Sequence, residues 1–196
     1  MKIILASQSP RRRELLTQMG IRDFQIITPD IDERMDRALP PDKLVETISA
    51  EKAGAVATQT GPEALVIAAD TVVALEGAVL GKPRDETEAA EMLSALSGRH
   101  HQVYTGFTVI RGSRRVTRSA CTEVVFRPLT PEEIADYVKT GEPMDKAGAY
   151  GIQGVGSLLI EGIRGDYFNV MGLPVCELGR ALSEFGVDCL ARCAGK

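Results

Sequence analysis

The sequence is poor in the residues that build metal–thiolate and thiol-nucleophile sites. It has two histidines, the adjacent pair His100 and His101, and four cysteines, Cys121, Cys176, Cys189 and Cys193, with no Cys-x-x-Cys among them. A zinc site or a Cys–His nucleophile needs ligands this chain hardly has, so the cysteines read as reduced structural thiols. No apolar run is long enough to cross a bilayer. The apolar opening at residues 1–6 is too short for the central region of a signal peptide, and a cytoplasmic chain is expected. A basic surplus is missing as well: 23 Lys and Arg face 27 Asp and Glu, for a net charge of −4 and a pI near 5.3. That argues against a general binder of nucleic-acid polymers and leaves room for a small anion in a local basic pocket. Two familiar nucleotide motifs are absent. Gly81-Lys82 is followed by Pro83 rather than Ser or Thr, and no Gly-x-Gly-x-x-Gly follows a strand and opens a helix, which disfavours a P-loop kinase and a dinucleotide dehydrogenase. No repeat, low-complexity segment or linker interrupts the 196 residues, a length that fits one domain or at most two small ones.

What is present is an alternation of strands and helices with one long hairpin inserted, which predicts α/β with a mixed sheet. A strand at residues 3–6 leads into a helix capped by Ser9 with Pro10 at its first position. A strand follows at 24–27, then an acid-rich loop, then a helix opened by Pro41. Residues 65–69 read as a strand buried on both faces, with Asp70 at its end, and 71–75 and 78–80 as a hairpin about Glu76-Gly77. Asp85 with Glu88, and Thr130 with Glu133, are capping-box patterns for two further helices. Long strands are expected near 102–111 and 116–127, a second hairpin from 158–163 and 167–170, and a last helix over 173–185. The tail after Gly186 carries little signal.

Four groups of residues carry candidate chemistry. Ser7-Gln8-Ser9-Pro10-Arg11-Arg12-Arg13 sits where a strand meets a helix N-terminus, a site of free N–H groups and partial positive charge suited to an anion. Successive helical residues point about 100° apart, so three arginines cannot share one ligand, and Arg11 lies nearest the loop. A capped, solvent-facing helix start is equally compatible with this stretch. Asp70 ends an apolar run, where a carboxylate is seldom buried unless paired or bound to metal, and Thr71 points to the opposite face if the strand continues. The scattered Asp32, Glu33, Lys52, Lys82 and Lys146 suit a metal–triphosphate if gathered round one pocket, and are surface charges if not. The stretch 146–154 combines glycines that admit close backbone approach with Gln153, whose amide can read a base edge.

Taken in order, these pieces resemble the Maf family of nucleotide pyrophosphatases, from Ile3 to about Phe185. The resemblance rests on Leu5-Ala6-Ser7-Gln8-Ser9-Pro10-Arg11-Arg12, Glu51-Lys52-Ala53, Ala69-Asp70-Thr71-Val72-Val73, Gly81-Lys82-Pro83, Leu96-Ser97-Gly98, the run from Glu142 to Gly154, and Val170-Met171-Gly172-Leu173-Pro174. It implies one nucleotide pyrophosphatase domain over 1–196. The implied fold is a long curved mixed sheet between two lobes, like that of inosine triphosphatases, with the active cleft between them. It implies hydrolysis of a nucleoside triphosphate to monophosphate and diphosphate with a divalent cation, Mg²⁺ or Mn²⁺. Asp70 becomes the proton acceptor, Arg11, Thr71 and Gln153 the specificity positions, Ser7, Arg11, Lys52 and Lys82 the phosphate site, and Glu33 with Asp70 the metal ligands. The loop at 149–154 resembles the branch acting on dTTP and UTP rather than the one acting on 7-methyl-GTP. A homodimer is implied, without a nucleic-acid polymer or membrane partner. A nucleotide-binding regulator of cell division or septum formation is the alternative. Where the family usually has Gly-Ala-Asp-Thr, this chain has Ala68-Ala69-Asp70-Thr71.

Overall fold

The structure is a computed structural model and describes residues 1–31 and 38–195. The chain opens with β1 (Ile3–Leu5), and Ser9 then caps α1 (Pro10–Gln18) by accepting the Arg12 N–H. After β2 (Phe24–Ile26), Pro41 at the first helical position starts α2 (Pro41–Thr60), which stops at Gly61. β3 (Leu65–Leu75) turns at Glu76 and Gly77, both at positive φ, into β4 (Ala78–Leu80). Asp85 caps α3 (Glu86–Leu96), and β5 (His100–Arg111) and β6 (Arg114–Phe126) form the long hairpin. A complete capping box of Thr130 and Glu133 starts α4 (Pro131–Lys139). Short 3₁₀ turns lead to β7 (Ile160–Arg164), followed by α5 (Tyr167–Met171), α6 (Val175–Ser183) and α7 (Cys189–Cys193).

The strands make one mixed sheet in the order β2-β1-β3-β5-β6-β7, with β4 also on β3. β1 runs parallel to β2 and β3, and the other pairings are antiparallel. Side chains alternate across a strand, so β3 divides its residues between two faces. On one face Leu65, Ile67 and Ala69 pack with Leu15 and Leu16 of α1 and Leu178 and Leu182 of α6. Val73 and Leu75, further along that face, pack instead with Leu93 of α3 and Ile134 and Val138 of α4. Thr71 stands between these two apolar cores. The opposite face belongs to α2, with Ala53 and Val56 against Val66 and Ala68, and Leu44 and Ile48 against Val72. A mixed sheet with two lobes and a cleft between them is what the resemblance implied; here both lobes lie over one sheet face.

The cleft has a backbone origin. β5 pairs β3 from Val66 to Ala74 along one edge. On the other edge β1 pairs residues 65–67 and β4 pairs residues 73–75. Among the described residues, no strand neighbours residues 68–72 on that side.

Three expectations need correction. Asp70 does not end a strand: β3 is one strand of 11 residues and Asp70 lies in its middle. Pairing with β5 carries straight through Asp70, opposite Gly106, and an ammonium partner offsets the charge. Residues 167–170 are helical rather than the second strand of a hairpin. The Asp166 side chain accepts the Phe168 N–H, Gly172 closes the turn at φ 110°, and the buried Asn169 donates to the Val103 carbonyl. Local capping and one tertiary bond override the apolar pattern there. Finally, the tail contains α7, capped by Asp188.

Two stability predictions follow from the packing. A Cβ on Gly106 would overlap the Val45 carbonyl of α2, so Gly106→Ala should cost about 1–3 kcal/mol and lower the urea midpoint. An unchanged midpoint would mean that α2 can lift off the sheet. His101 is fully buried edge-on to Phe126 and Tyr150, with Nε2 2.8 Å from the Tyr150 hydroxyl. Burial, helped by His100, lowers its pKa from 6.5 to about 4. The unfolded chain therefore takes up a proton between those values that the native state refuses, and stability falls as pH drops through that window, by about 3 kcal/mol in the limit. Unfolding in urea at pH 7 and pH 4.5 should show this loss, and His101→Phe should shrink it.

Candidate active site

A cleft of about 830 Å³ lies along the open stretch of β3. One wall is the turn from β1 into α1, whose first turn contains no acidic residue to compete for an anion. Ser7 is buried there, its Oγ accepting from the Ser9 N–H and from Arg12 Nη1, both at 3.2 Å. Arg11 borders the cleft, with Nη1 3.8 Å from Asp145 Oδ2 on the far wall. Arg12 turns to the sheet. Its Nε donates to the Gly172 carbonyl at 2.9 Å, Nη1 to the Ala69 carbonyl at 2.9 Å, and Nη2 to Thr71 Oγ1 at 3.0 Å. One guanidinium thus ties α1 to β3 and to the end of α5.

The floor is β3 itself. Asp70 points to the α2 face, where Lys52 Nζ donates to Oδ1 at 2.8 Å. Their side chains are 13% and 8% exposed, so the pair is largely withdrawn from water and its attraction is less screened than a surface bridge. Thr71 points to the other face, its Oγ1 2.9 Å from Thr105 Oγ1, and Thr105 donates to the Asn169 carbonyl at 2.9 Å. Residues on opposite faces of a strand reach one cleft here because the strand edge between them is open.

The far wall joins Gly81-Lys82 to residues 142–154. The Gly148 N–H donates to the Gly81 carbonyl at 3.0 Å, and Gly148, at φ 69°, presses so closely on Val73 that a side chain would not fit. Lys146 Nζ donates to the Glu142 carbonyl at 2.7 Å and to Asp145 Oδ1 at 2.6 Å. Beyond it Gln153 stands exposed at the mouth.

Ser7, Arg11, Lys52, Asp70, Thr71, Lys82, Lys146 and Gln153, scattered over the sequence, all line this one cleft. Asp32 and Glu33 lie outside the described residues. Sequence reasoning passed over Arg12 in favour of Arg11. Leu15 and Leu16 mark the buried face of α1, but Arg11 and Arg12 each lie four residues before one of them, so only the sheet that α1 covers tells the two apart. Thr105 and Asn169 carried no signal of their own, since their roles come from long-range contacts, and Glu142 stood out only as the first residue of the run 142–154.

The donor set is compatible with a divalent cation. Among the described residues no group of three His, Cys, Asp or Glu is gathered to hold a metal. Mg²⁺, however, is commonly held by one or two carboxylates, several waters and the substrate's own phosphates, which asks for less. Asp70 lines the cleft with Oδ1 committed to Lys52, leaving Oδ2 as the second oxygen. No helix among the described residues is long and apolar enough to cross a membrane.

The chain is 55% identical over 194 residues to the dTTP/UTP pyrophosphatase of Moorella thermoacetica, covering 97% of this chain and 98% of that one. It is 54% identical over 188 residues to the dTTP/UTP pyrophosphatase of Carboxydothermus hydrogenoformans, covering 95% and 100%. Among solved structures, a HAM1 protein from Coxiella burnetii aligns with a TM-score of 0.51 at 16% identity, covering 94% of this chain and 99% of that one, a likeness of fold. The family model described as Maf-like protein matches residues 2–185, and the chain belongs to that family.

Proposed function

We propose that this protein hydrolyses dTTP and UTP between the α- and β-phosphates, releasing the nucleoside monophosphate and diphosphate. The observation that carries the reading is the open edge of β3, which presents Asp70 and Thr71 to one cleft from opposite sheet faces. The names and near full-length coverage of the relatives support it.

The chemistry assigns each residue a task. The triphosphate lies against the N-terminus of α1, where the Ser7 hydroxyl and free N–H groups donate to its anionic oxygens. Lys52, Lys82 and Arg11 neutralise charge that grows on the phosphates as the bond breaks. Lys52 holds Asp70 Oδ1, and Oδ2 takes the proton of a water attacking the α-phosphorus. The water oxygen becomes part of the monophosphate and diphosphate departs. A divalent cation, Mg²⁺ or Mn²⁺, would be held by Asp70 and Glu33 and would supply further charge neutralisation on the phosphate oxygens. Thr71 and Gln153 meet the pyrimidine. The same reading makes the protein a cytoplasmic enzyme and a homodimer, as the family resemblance implies.

Asp70→Asn keeps the shape and removes the proton acceptor. Diphosphate release from dTTP should fall by about 10²–10⁴ with the circular dichroism spectrum unchanged. Full turnover in that variant would sink the mechanism. Gln153→Ala should cost about 10–100-fold in discrimination between dTTP or UTP and CTP, GTP or 7-methyl-GTP, because a base-edge hydrogen bond is lost. Nucleotide binding by the wild-type protein without diphosphate release from any of these substrates would point instead to a regulator.

A further inference from the structure

Gln153 sits at the tip of a short loop whose two flanks are tied to one carboxylate, one directly and the other through Tyr137. Glu142 Oε2 accepts the Val155 N–H at 2.8 Å, and Oε1 accepts the Gly156 N–H at 3.0 Å. Oε1 also accepts the Tyr137 hydroxyl of α4 at 2.9 Å. On the other flank, the Gly151 N–H donates to that same Tyr137 oxygen at 3.2 Å. The five residues from Gly151 to Val155 are thus closed by Tyr137 at one end and Glu142 at the other, with the glutamine between them.

The packing leaves the clamp no slack. A Cβ on Gly154 would fall on the Glu142 carboxylate, one on Gly151 on the Lys146 stem, and one on Gly156 on the Gly151 carbonyl and Tyr137 hydroxyl. Burial disfavours the charged form of Glu142, but the Gly156 and Val155 N–H groups, the Tyr137 hydroxyl and Lys146 outweigh it and hold the carboxyl below its ordinary range. Its own backbone is fixed by the Lys146 ammonium on the Glu142 carbonyl. All three hydrogen bonds accepted by the Glu142 carboxylate come from the frame of the loop, although the residue itself also borders the cleft.

We infer that Glu142, with Tyr137, is the positioning residue for base selection: it fixes where the Gln153 amide stands at the mouth of the cleft and thereby sets discrimination among bases. The inference rests on the proposed role of Gln153. A wandering amide must be ordered each time a base binds, which weakens recognition and leaves the phosphate chemistry at Asp70 in place. Glu142→Gln is the isosteric test, because an amide cannot accept from all three donors at once.

The experiment measures kcat and KM for dTTP, UTP, CTP and GTP in wild type, Glu142→Gln, Gln153→Ala and the double variant. In Glu142→Gln, KM for dTTP should rise about 10-fold or more with kcat within about 3-fold, as expected for loss of binding common to ground and transition states. The preference for dTTP and UTP over CTP and GTP should shrink. In the Gln153→Ala background the same change should have no further effect on that preference, since the amide it positions is gone. Tyr137→Phe, which keeps the ring and removes the hydroxyl, should move selectivity in the same direction, and it serves if Glu142→Gln fails to fold by circular dichroism. A uniform loss of kcat on all four substrates, or additive effects with Gln153→Ala, would overturn the positioning role while leaving base reading by Gln153 intact. An unchanged preference in Gln153→Ala alone would overturn the base-reading role, and this inference with it.

Discussion

Everything at this site depends on a ladder that stops and starts again. Between the end of β1 and the beginning of β4, one edge of β3 has no strand beside it among the described residues. Buried backbone groups rarely go unpaired, so such a gap in the middle of a sheet must be closed by something else. Arg12 supplies part of the closure by donating to the Ala69 carbonyl. A guanidinium suits the task because its planar fork of donors reaches Ala69, Thr71, Ser7 and Gly172 together. The helix start that offers N–H groups to an anion is held in place by the same side chain that seals the strand edge.

The second dependence is a line of polar residues across the sheet between the two apolar cores. Thr71, Thr105, Asn169 and Thr122 are joined in series, from Arg12 at one end to the Asp166 carbonyl at the other. Three of them, Thr105, Asn169 and Thr122, are fully buried. Buried polar groups of this kind specify geometry more than they stabilise it, because each must find its partner in one arrangement. The line also separates the packing of α1 and α6 from that of α3 and α4, so each lobe has its own core and the two share a hydrogen-bonded boundary.

Much of this was legible in the sequence. The caps at Ser9, Asp85 and Thr130 marked the starts of three helices that the structure contains, because capping is local chemistry. The mixed sheet followed from the order of elements. Three features were not legible, for one reason: their causes lie far away in the chain. Asp70 looks like a strand terminator until Lys52, 18 residues earlier, accounts for its charge. Residues 167–171 carry an apolar pattern compatible with a strand, and only Asn169 reaching Val103, 66 residues away, identifies the turn of helix. The choice between Arg11 and Arg12 needed the sheet that α1 covers. The gathering of Ser7, Lys52, Asp70, Lys82 and Gln153 could be inferred from likeness to a family, but no spacing in the sequence requires it.

The division of labour in the cleft has a bearing on how such proteins diverge. Lys52 and Asp70 belong to α2 and β3, and α2 is pressed onto the sheet at Gly106 of β5, the residue that pairs with Asp70. Gln153 belongs to a surface loop that hangs from the opposite lobe by a few hydrogen bonds. A mutation that reshapes the loop leaves the reacting end of the cleft untouched, and one that disturbs the sheet abolishes reaction with every base alike. On the proposed roles of Gln153 and Asp70, selection can explore new nucleobases by rewriting a handful of surface residues, with the hydrolytic apparatus inherited whole.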